Sequence, residues 1–218
     1  MLHPTLRFAG LAALAALGVS LLTPGGAAGS VDGPRPAAQV ATFAGGCFWS
    51  MQKAFDGVPG VVTVTAGYAG GTKVNPTYED VETGETGHAE SVEVTYDPAR
   101  ISYDRLLDVY WHHIDPLTLN SAFCDYGPQY RSIIFYHDEA QRRAAEASKR
   151  ALDDSHRFPT PIVTAIQAVT PFYPAEEYHQ QFYRKNPGRY EAYRIGCRRD
   201  ARLQQLWGDV AVSKGATR

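Results

Sequence analysis

Apolar and polar positions along the chain repeat with two different periods, and the switches between them outline the elements. "VATFAG", residues 40–45, is a short apolar run closed by glycine and predicts a buried strand. Phe48, Met51, Gln52 and Phe55 then recur at helical spacing until "DGVPG" stops them. "VVTVTAGYAGG" is rich in β-branched residues and predicts a second strand ending in a glycine turn. "ESVEVTYDP" alternates cleanly, with Val92, Val94 and Tyr96 on one side and Glu93 and Thr95 on the other. "SYDRLLDVYWHHI" carries an apolar helical stripe opened by Ser102. "RSIIFYH" predicts a strand, and Asp138 with Gln141 three residues on opens a helix in a capping-box pattern. "PIVTAIQAV" is one more strand, the tail from Pro171 is aromatic and loop-rich, and "RDARLQQLWGD" predicts a short helix. Strands and helices alternate without the strict period of a doubly wound sheet, so the fold class expected is α+β: a two-layer sandwich with a mixed, mostly antiparallel sheet.

Ahead of this region, His3 and Arg7 precede the apolar run "FAGLAALAALGVSLL" and the small residues of "TPGGAAGS". That order is the pattern of a secretory signal peptide, and the run is shorter than the ~20 residues that cross a bilayer. The expected layout is a signal peptide over 1–28, a flexible leader over 29–38 and one catalytic domain over 39–218. The expected location is outside the cytoplasm, in the periplasm, with no stable membrane insertion once the signal is removed. A net charge of −2 with both signs mixed gives no basic stripe for nucleic acid.

An oxidising compartment favours paired cysteines. Cys47, Cys124 and Cys197 are odd in number and widely spaced, a poor disulfide framework that leaves one thiol spare. Cys47 sits where the first strand hands over to the first helix. There the free N–H groups and the helix dipole favour a thiolate, and Gly45–Gly46 leave room for a substrate. Phe48 and Trp49 would supply an apolar wall. A buried structural cysteine in an aromatic core is the other reading, and the glycine pair tips the balance towards a reactive site.

"GGCFW" resembles the active-site signature of the A-type peptide methionine sulfoxide reductases. "GVPGVVTVTAGYAGG", "NPTYEDVETGETGHAESVEVTYDP", "DYGPQYRS", "TPFYPAEEYHQQF" and "KNPGRY" resemble the same family in the family's order, over residues 39–190. The resemblance implies a ferredoxin-like core. It also implies attack by Cys47 on a sulfoxide sulfur, a sulfenic acid intermediate, resolution by a second thiol, and recycling by a thioredoxin-like reductant with no bound cofactor or metal. It assigns Glu90 as the acid that protonates the departing oxygen. Independently, Glu90 shares the parity of Val92, Val94 and Tyr96, which turns its carboxyl to the apolar face and raises its pKa. Tyr78 and Tyr130 match the family's hydroxyl donors, Asp125 its substrate-binding acid, and Phe48 and Trp49 its pocket for the terminal methyl group. The implied substrate is methionine S-sulfoxide, in proteins and free. Cys197 is the preferred resolving cysteine because the family keeps such residues near the C-terminus, and Cys124, beside Asp125, is the second candidate.

Two other chemistries are open to the residues. A papain-like cysteine hydrolase would use Cys47 with His179 at a suitable distance downstream, but leaves Tyr78, Glu90 and "QYRS" without a role. A zinc site begun at "HAE" lacks the paired cysteines it needs, and the neighbours His112 and His113 diverge on a helix.

Overall fold

The computed structural model describes residues 37–208. The expected signal segment and residues 29–36 of the leader lie outside the described residues, while residues 37 and 38 are exposed coil. Among the described residues no helix is long and apolar enough to cross a membrane.

The elements run β1 (Gln39–Gly45), α1 (Phe48–Phe55), β2 (Val61–Ala69), α2 (Tyr78–Glu82), β3 (Ala89–Tyr96), α3 (Tyr103–Trp111), β4 (Ser121–Ala122) and β5 (Asp125–Tyr126). A 3-10 turn at Pro128–Tyr130 leads to β6 (Ser132–Tyr136), α4 (Glu139–Asp154), β7 (Ala165–Ala168), β8 (Tyr173–Pro174), α5 (Phe182–Lys185), α6 (Pro187–Gly196) and α7 (Arg199–Trp207). Six strands form one sheet in the order β7-β6-β1-β3-β2-β8, and β4 pairs with β5 in a small hairpin. Every pairing in the large sheet is antiparallel except β6 with β7, which α4 connects. The mixed, mostly antiparallel sheet is as the patterning requires.

Side-chain parity divides the sheet into two faces. Phe43 on β1 stacks between Phe55 of α1 and Tyr110 of α3, each ring centroid 5.1 Å away. The opposite face carries the smaller cluster of Ala44, Ala69, Ala89, Ile133 and Phe135, covered by Val169 and Phe172. Asp138 caps α4 by accepting from the Gln141 N–H at 2.8 Å. The return bond, however, runs from the His137 N–H to the Gln141 side chain, one residue earlier than the capping box expects.

The tail differs from the loop-rich expectation, because after residues 171–172, the short β8 and residues 175–181, three helices follow to Trp207. Helix α7 brings Leu203, Leu206 and Trp207 into the core. The Trp207 indole donates to the Ile114 carbonyl at 3.0 Å, Arg202 pairs with Asp115 at 2.7 Å, and Arg199 donates to the His113 carbonyl at 2.7 Å. Burial of one tryptophan and two leucines is worth several kcal/mol, so helix α7 is fixed against the body of the fold.

Candidate functional site

Cys47 is the N-cap of α1, and its carbonyl accepts from the N–H groups of Ser50 at 3.1 Å and Met51 at 3.2 Å. The glycines before it are required by close approach. A Cβ on Gly45 would stand 2.5 Å from the Ile114 side chain, and one on Gly46, where φ is +87°, would stand 2.5 Å from the Ala122 Cβ. The turn therefore lies pressed between the end of α3 and the β4–β5 hairpin, which brings Asp125 towards Cys47.

Glu90 is 3% exposed and stands opposite Tyr68 in the β2–β3 ladder, on the same face as Val92, Val94 and Tyr96. Its carboxylate accepts from the Phe48 N–H at 2.8 Å, so strand β3 ends in an acid laid on the first turn of α1. Burial pushes its pKa up to about 8, with the Phe48 N–H opposing and the charges of Asp125 and Glu82 adding to the rise. Near neutrality this acid holds a proton, as its parity requires.

The thiol behaves differently from the expectation of a ready thiolate. Burial, then the charges of Glu90 and Asp125, raise the Cys47 pKa far above the ordinary thiol value, although the Tyr193 hydroxyl and the Trp49 N–H both bond to the sulfur. The helix terminus is present, but burial of the sulfur, reinforced by the carboxyls arriving from β3 and β5, outweighs it. Cys47 rests as a thiol. Protonation of Glu90 removes one of the opposing charges, which makes loss of the thiol proton easiest when the neighbouring acid is neutral.

Tyr78 begins α2, is half-buried, and has its pKa raised by burial and by its hydrogen bond to Glu82. Tyr130 closes the 3-10 turn, and burial followed by the charges of Glu90, Asp125 and Cys47 raises its pKa. Both keep their hydroxyl protons; Tyr130 stands within reach of the charges of Glu90 and Cys47, and Tyr78 within reach of Glu90 and Tyr130. Asp125 accepts from the Tyr193 hydroxyl at 2.6 Å, and burial raises its pKa. The predicted site residues Cys47, Glu90, Tyr130 and Asp125 are thus brought together, with Tyr78 at the edge.

Phe48 is 1% exposed, with its ring against Tyr68, Tyr78 and His179. Trp49 is half-buried and stacks on Phe182 at 3.7 Å, with the edge of Tyr193 5.9 Å away. The Trp49 indole donates to His179 Nδ1 at 3.0 Å, which leaves the imidazole proton on Nε2. Gln180 is tied to the backbone of Ala66 and Ala175, and the Gln181 N–H donates to the Gln52 side chain. Glu176 accepts from the Tyr68 hydroxyl and the Tyr78 N–H, each at 2.8 Å. Sequence reasoning missed Glu176 and Tyr193 and assigned His179 only to a hydrolase; for Glu176 and His179 the concentration of polar and aromatic residues in "AEEYHQQF" was the available signal.

The three cysteines, expected to be a poor disulfide framework with one thiol spare, do form one bond and leave one thiol. Cys124 and Cys197 are joined to each other across 73 residues of sequence, with Cα atoms 5.0 Å apart, and Cys47 is the free cysteine. Helix α7 supplies the reason, since it pins the end of α6 beside the β4–β5 hairpin. In this state neither candidate carries a free resolving thiol.

The hydrolase arrangement is absent from the site. His179 is held by Trp49, burial lowers its pKa, and the groups bonded to the Cys47 sulfur are Tyr193 and Trp49. His112 and His113 each bond to a carbonyl of their own helix four residues back. Cys124, Asp125 and Cys197 place their polar atoms within 4.8 Å of one another, but joined sulfurs are not thiolate ligands.

A family model described as "Peptide methionine sulfoxide reductase" matches residues 39–211. A Bacillus licheniformis protein named "Peptide methionine sulfoxide reductase MsrA" is 52% identical over 170 residues, 78% of this chain and 94% of that protein. Its namesake from Listeria innocua is 53% identical over 167 residues, 77% and 94% of the two chains. Among solved structures, reduced Mxr1 from Saccharomyces cerevisiae superposes with a TM-score of 0.65 at 33% identity, covering 69% of this chain and 87% of that one. Methionine sulfoxide reductase A of Corynebacterium diphtheriae gives a TM-score of 0.63 at 33% identity, covering 71% and 77%.

Proposed function

Starting from a chain that belongs to the peptide methionine sulfoxide reductases, A type, and is therefore a thiol-dependent oxidoreductase, we propose the following course for its reaction. The substrate is the S epimer of methionine sulfoxide, in proteins and free, with the terminal methyl group against Trp49 and the edge of Phe48. Cys47 loses its proton as the sulfoxide oxygen gains one from Glu90, and the Cys47 sulfur attacks the sulfoxide sulfur. Oxygen passes to Cys47 and methionine leaves. The methionine sulfur gains two electrons and Cys47 becomes a sulfenic acid. Tyr78 and Tyr130 donate hydrogen bonds to the oxygen while its charge develops. The observation that carries this reading is the buried Glu90 carboxyl, pKa about 8, bonded to the N–H of the residue that follows the free Cys47.

Cys197 then attacks the sulfenic sulfur, water leaves, and a Cys47–Cys197 disulfide forms. Cys124 attacks Cys197 in turn, which frees Cys47 and leaves the Cys124–Cys197 bond. Cys124 is exposed, so an external thioredoxin-like dithiol reaches this last disulfide without entering the buried site. The chain works outside the cytoplasm, a reading that rests on the order of residues in its first 28 positions. The run β6-β1-β3-β2 with α1 and α3 supports reading the core as ferredoxin-like.

Turnover on separated S and R sulfoxides with dithiothreitol tests the assignment. Activity confined to the S epimer and lost in Cys47→Ser is expected; equal activity on both, or a working Cys47→Ser variant, would overturn it.

A further inference from the structure

Glu90 serves the step that makes methionine, and the next step needs a proton on the oxygen that Cys47 then carries. When a thiolate displaces the oxygen of a sulfenic acid, that oxygen leaves as water only if it is protonated. The arrangement facing the disulfide supplies a path. The Tyr193 hydroxyl lies 2.6 Å from Asp125 and bonds to the Cys47 sulfur. Asp125 in turn places a carboxylate oxygen within 4.8 Å of the Cys197 sulfur. Tyr193 sits on the last turn of α6, where its carbonyl accepts from the Cys197 N–H at 2.9 Å, so the hydroxyl and the second sulfur are carried by one helical turn.

We propose that Asp125 and Tyr193 form a proton relay dedicated to resolving the Cys47 sulfenic acid, with Tyr193 as a catalytic residue that this chain places on the same helix as its resolving cysteine. The proposal rests on the sulfenic acid reading above. Asp125 takes the proton of the Cys197 thiol. Tyr193 receives a proton from Asp125 and passes its own to the Cys47 hydroxyl. The Cys197 sulfur bonds to the Cys47 sulfur, and the S–O bond breaks to release water. One sulfenic acid and one thiol give one disulfide and one water. The Cys47 sulfur is reduced by one electron and the Cys197 sulfur oxidised by one, and no outside proton is used. The groups facing Asp125 are Tyr193 and Arg199 from the tail helices, the neighbouring Cys124 sulfur at 3.9 Å, Glu90 from β3, Tyr130 from the 3-10 turn, and Cys47. Of these, Tyr193 touches both the carboxylate and the reacting sulfur.

The test uses the full chain with all three cysteines reduced, mixed rapidly with the S-sulfoxide and quenched at intervals. Methionine is counted by chromatography, and the sulfenic acid by a trapping dione and mass. In Tyr193→Phe and in Asp125→Asn, decay of the sulfenic acid should slow by about 100-fold, the low end for loss of a positioned acid. Methionine formation should slow by less than ~10-fold, as expected for losing one hydrogen bond of about 1 kcal/mol. Thermal melts should show both variants folded. Decay at the wild-type rate in either variant, or an equal slowing of both steps, would overturn the relay. Failure of the wild type to form any trappable sulfenic acid would remove the chemistry beneath it as well, and is separately visible in the wild-type trace.

Discussion

Glu90→Gln should make the protein more stable and much less active, a pairing that few other roles for a buried acid produce. In the folded chain the Glu90 pKa stands at about 8 against an ordinary value of 4.5. Between those two pH values the unfolded chain has released the proton while the folded chain still holds it. Stability therefore falls as pH rises through the window, and the whole penalty is present above pH 8. At about 1.4 kcal/mol per pH unit, the cost at pH 7 is about 3 kcal/mol. Glutamine has no such cost and keeps an oxygen for the Phe48 N–H, but it adds an amide hydrogen without a partner, worth about 1 kcal/mol. The net gain is about 2 kcal/mol, or ~4–8 °C in melting temperature for a domain of this size. The advantage should shrink as pH falls, reach zero at about pH 5 and reverse to a deficit of about 1 kcal/mol below pH 4.5. Methionine formation should fall by ~10²–10⁴-fold, the range for loss of a general acid. In the wild type that step should slow as pH passes 8, and in Glu90→Gln it should lose this dependence. Melts from pH 4 to 9 and rapid-quench methionine yields measure both sides. A folded Glu90→Gln variant that is less stable than wild type at pH 7, or one that keeps wild-type rates, would refute the reasoning.

The cysteines and the glycine pair give further expectations. With a single addition of S-sulfoxide and no reductant, Cys197→Ser should form one methionine per chain and stop at the Cys47 sulfenic acid. Cys124→Ser should also form one and stop at a Cys47–Cys197 disulfide, seen as a cross-linked peptide after proteolysis; a Cys47–Cys124 bond instead would reverse the order of transfer. Gly46→Ala sets a Cβ 2.5 Å from that of Ala122 at a φ of +87°. It should cost about 2–4 kcal/mol in a urea melt, and an unchanged midpoint would show that the turn is not pressed as described.

The sheet was legible because β1 and β6, covered on both faces, read as short apolar runs, while β3 alternates. That same regularity located Glu90, since a carboxylate at the parity of Val92, Val94 and Tyr96 must end up inside. Helix starts at Ser102 and Asp138 were legible from their caps. The two-residue strands β4 and β5 were not, being too short to carry a period, and with them went the placement of Asp125 and Cys124. The thiol's raised pKa was hidden for the same reason: a helix terminus is written locally, whereas the burial that outweighs it, and the carboxyls of Glu90 and Asp125 that add to it, come from segments distant in sequence. The disulfide depends on α7 docking against the segment after α3, a contact between residues far apart in sequence. Tyr193 lies on a mostly exposed helix among thirteen tyrosines, and nothing in its immediate surroundings marks it.

The most direct test of the central chemistry is the number of methionines released by fully reduced enzyme given excess S-sulfoxide and no reductant. Two per chain are expected. The first uses the electrons that end in the Cys124–Cys197 bond. The second oxidises the regenerated Cys47, which then carries a sulfenic acid and adds the mass of one oxygen. Release of no methionine, or of any by Cys47→Ser, would contradict attack by Cys47 on the sulfoxide.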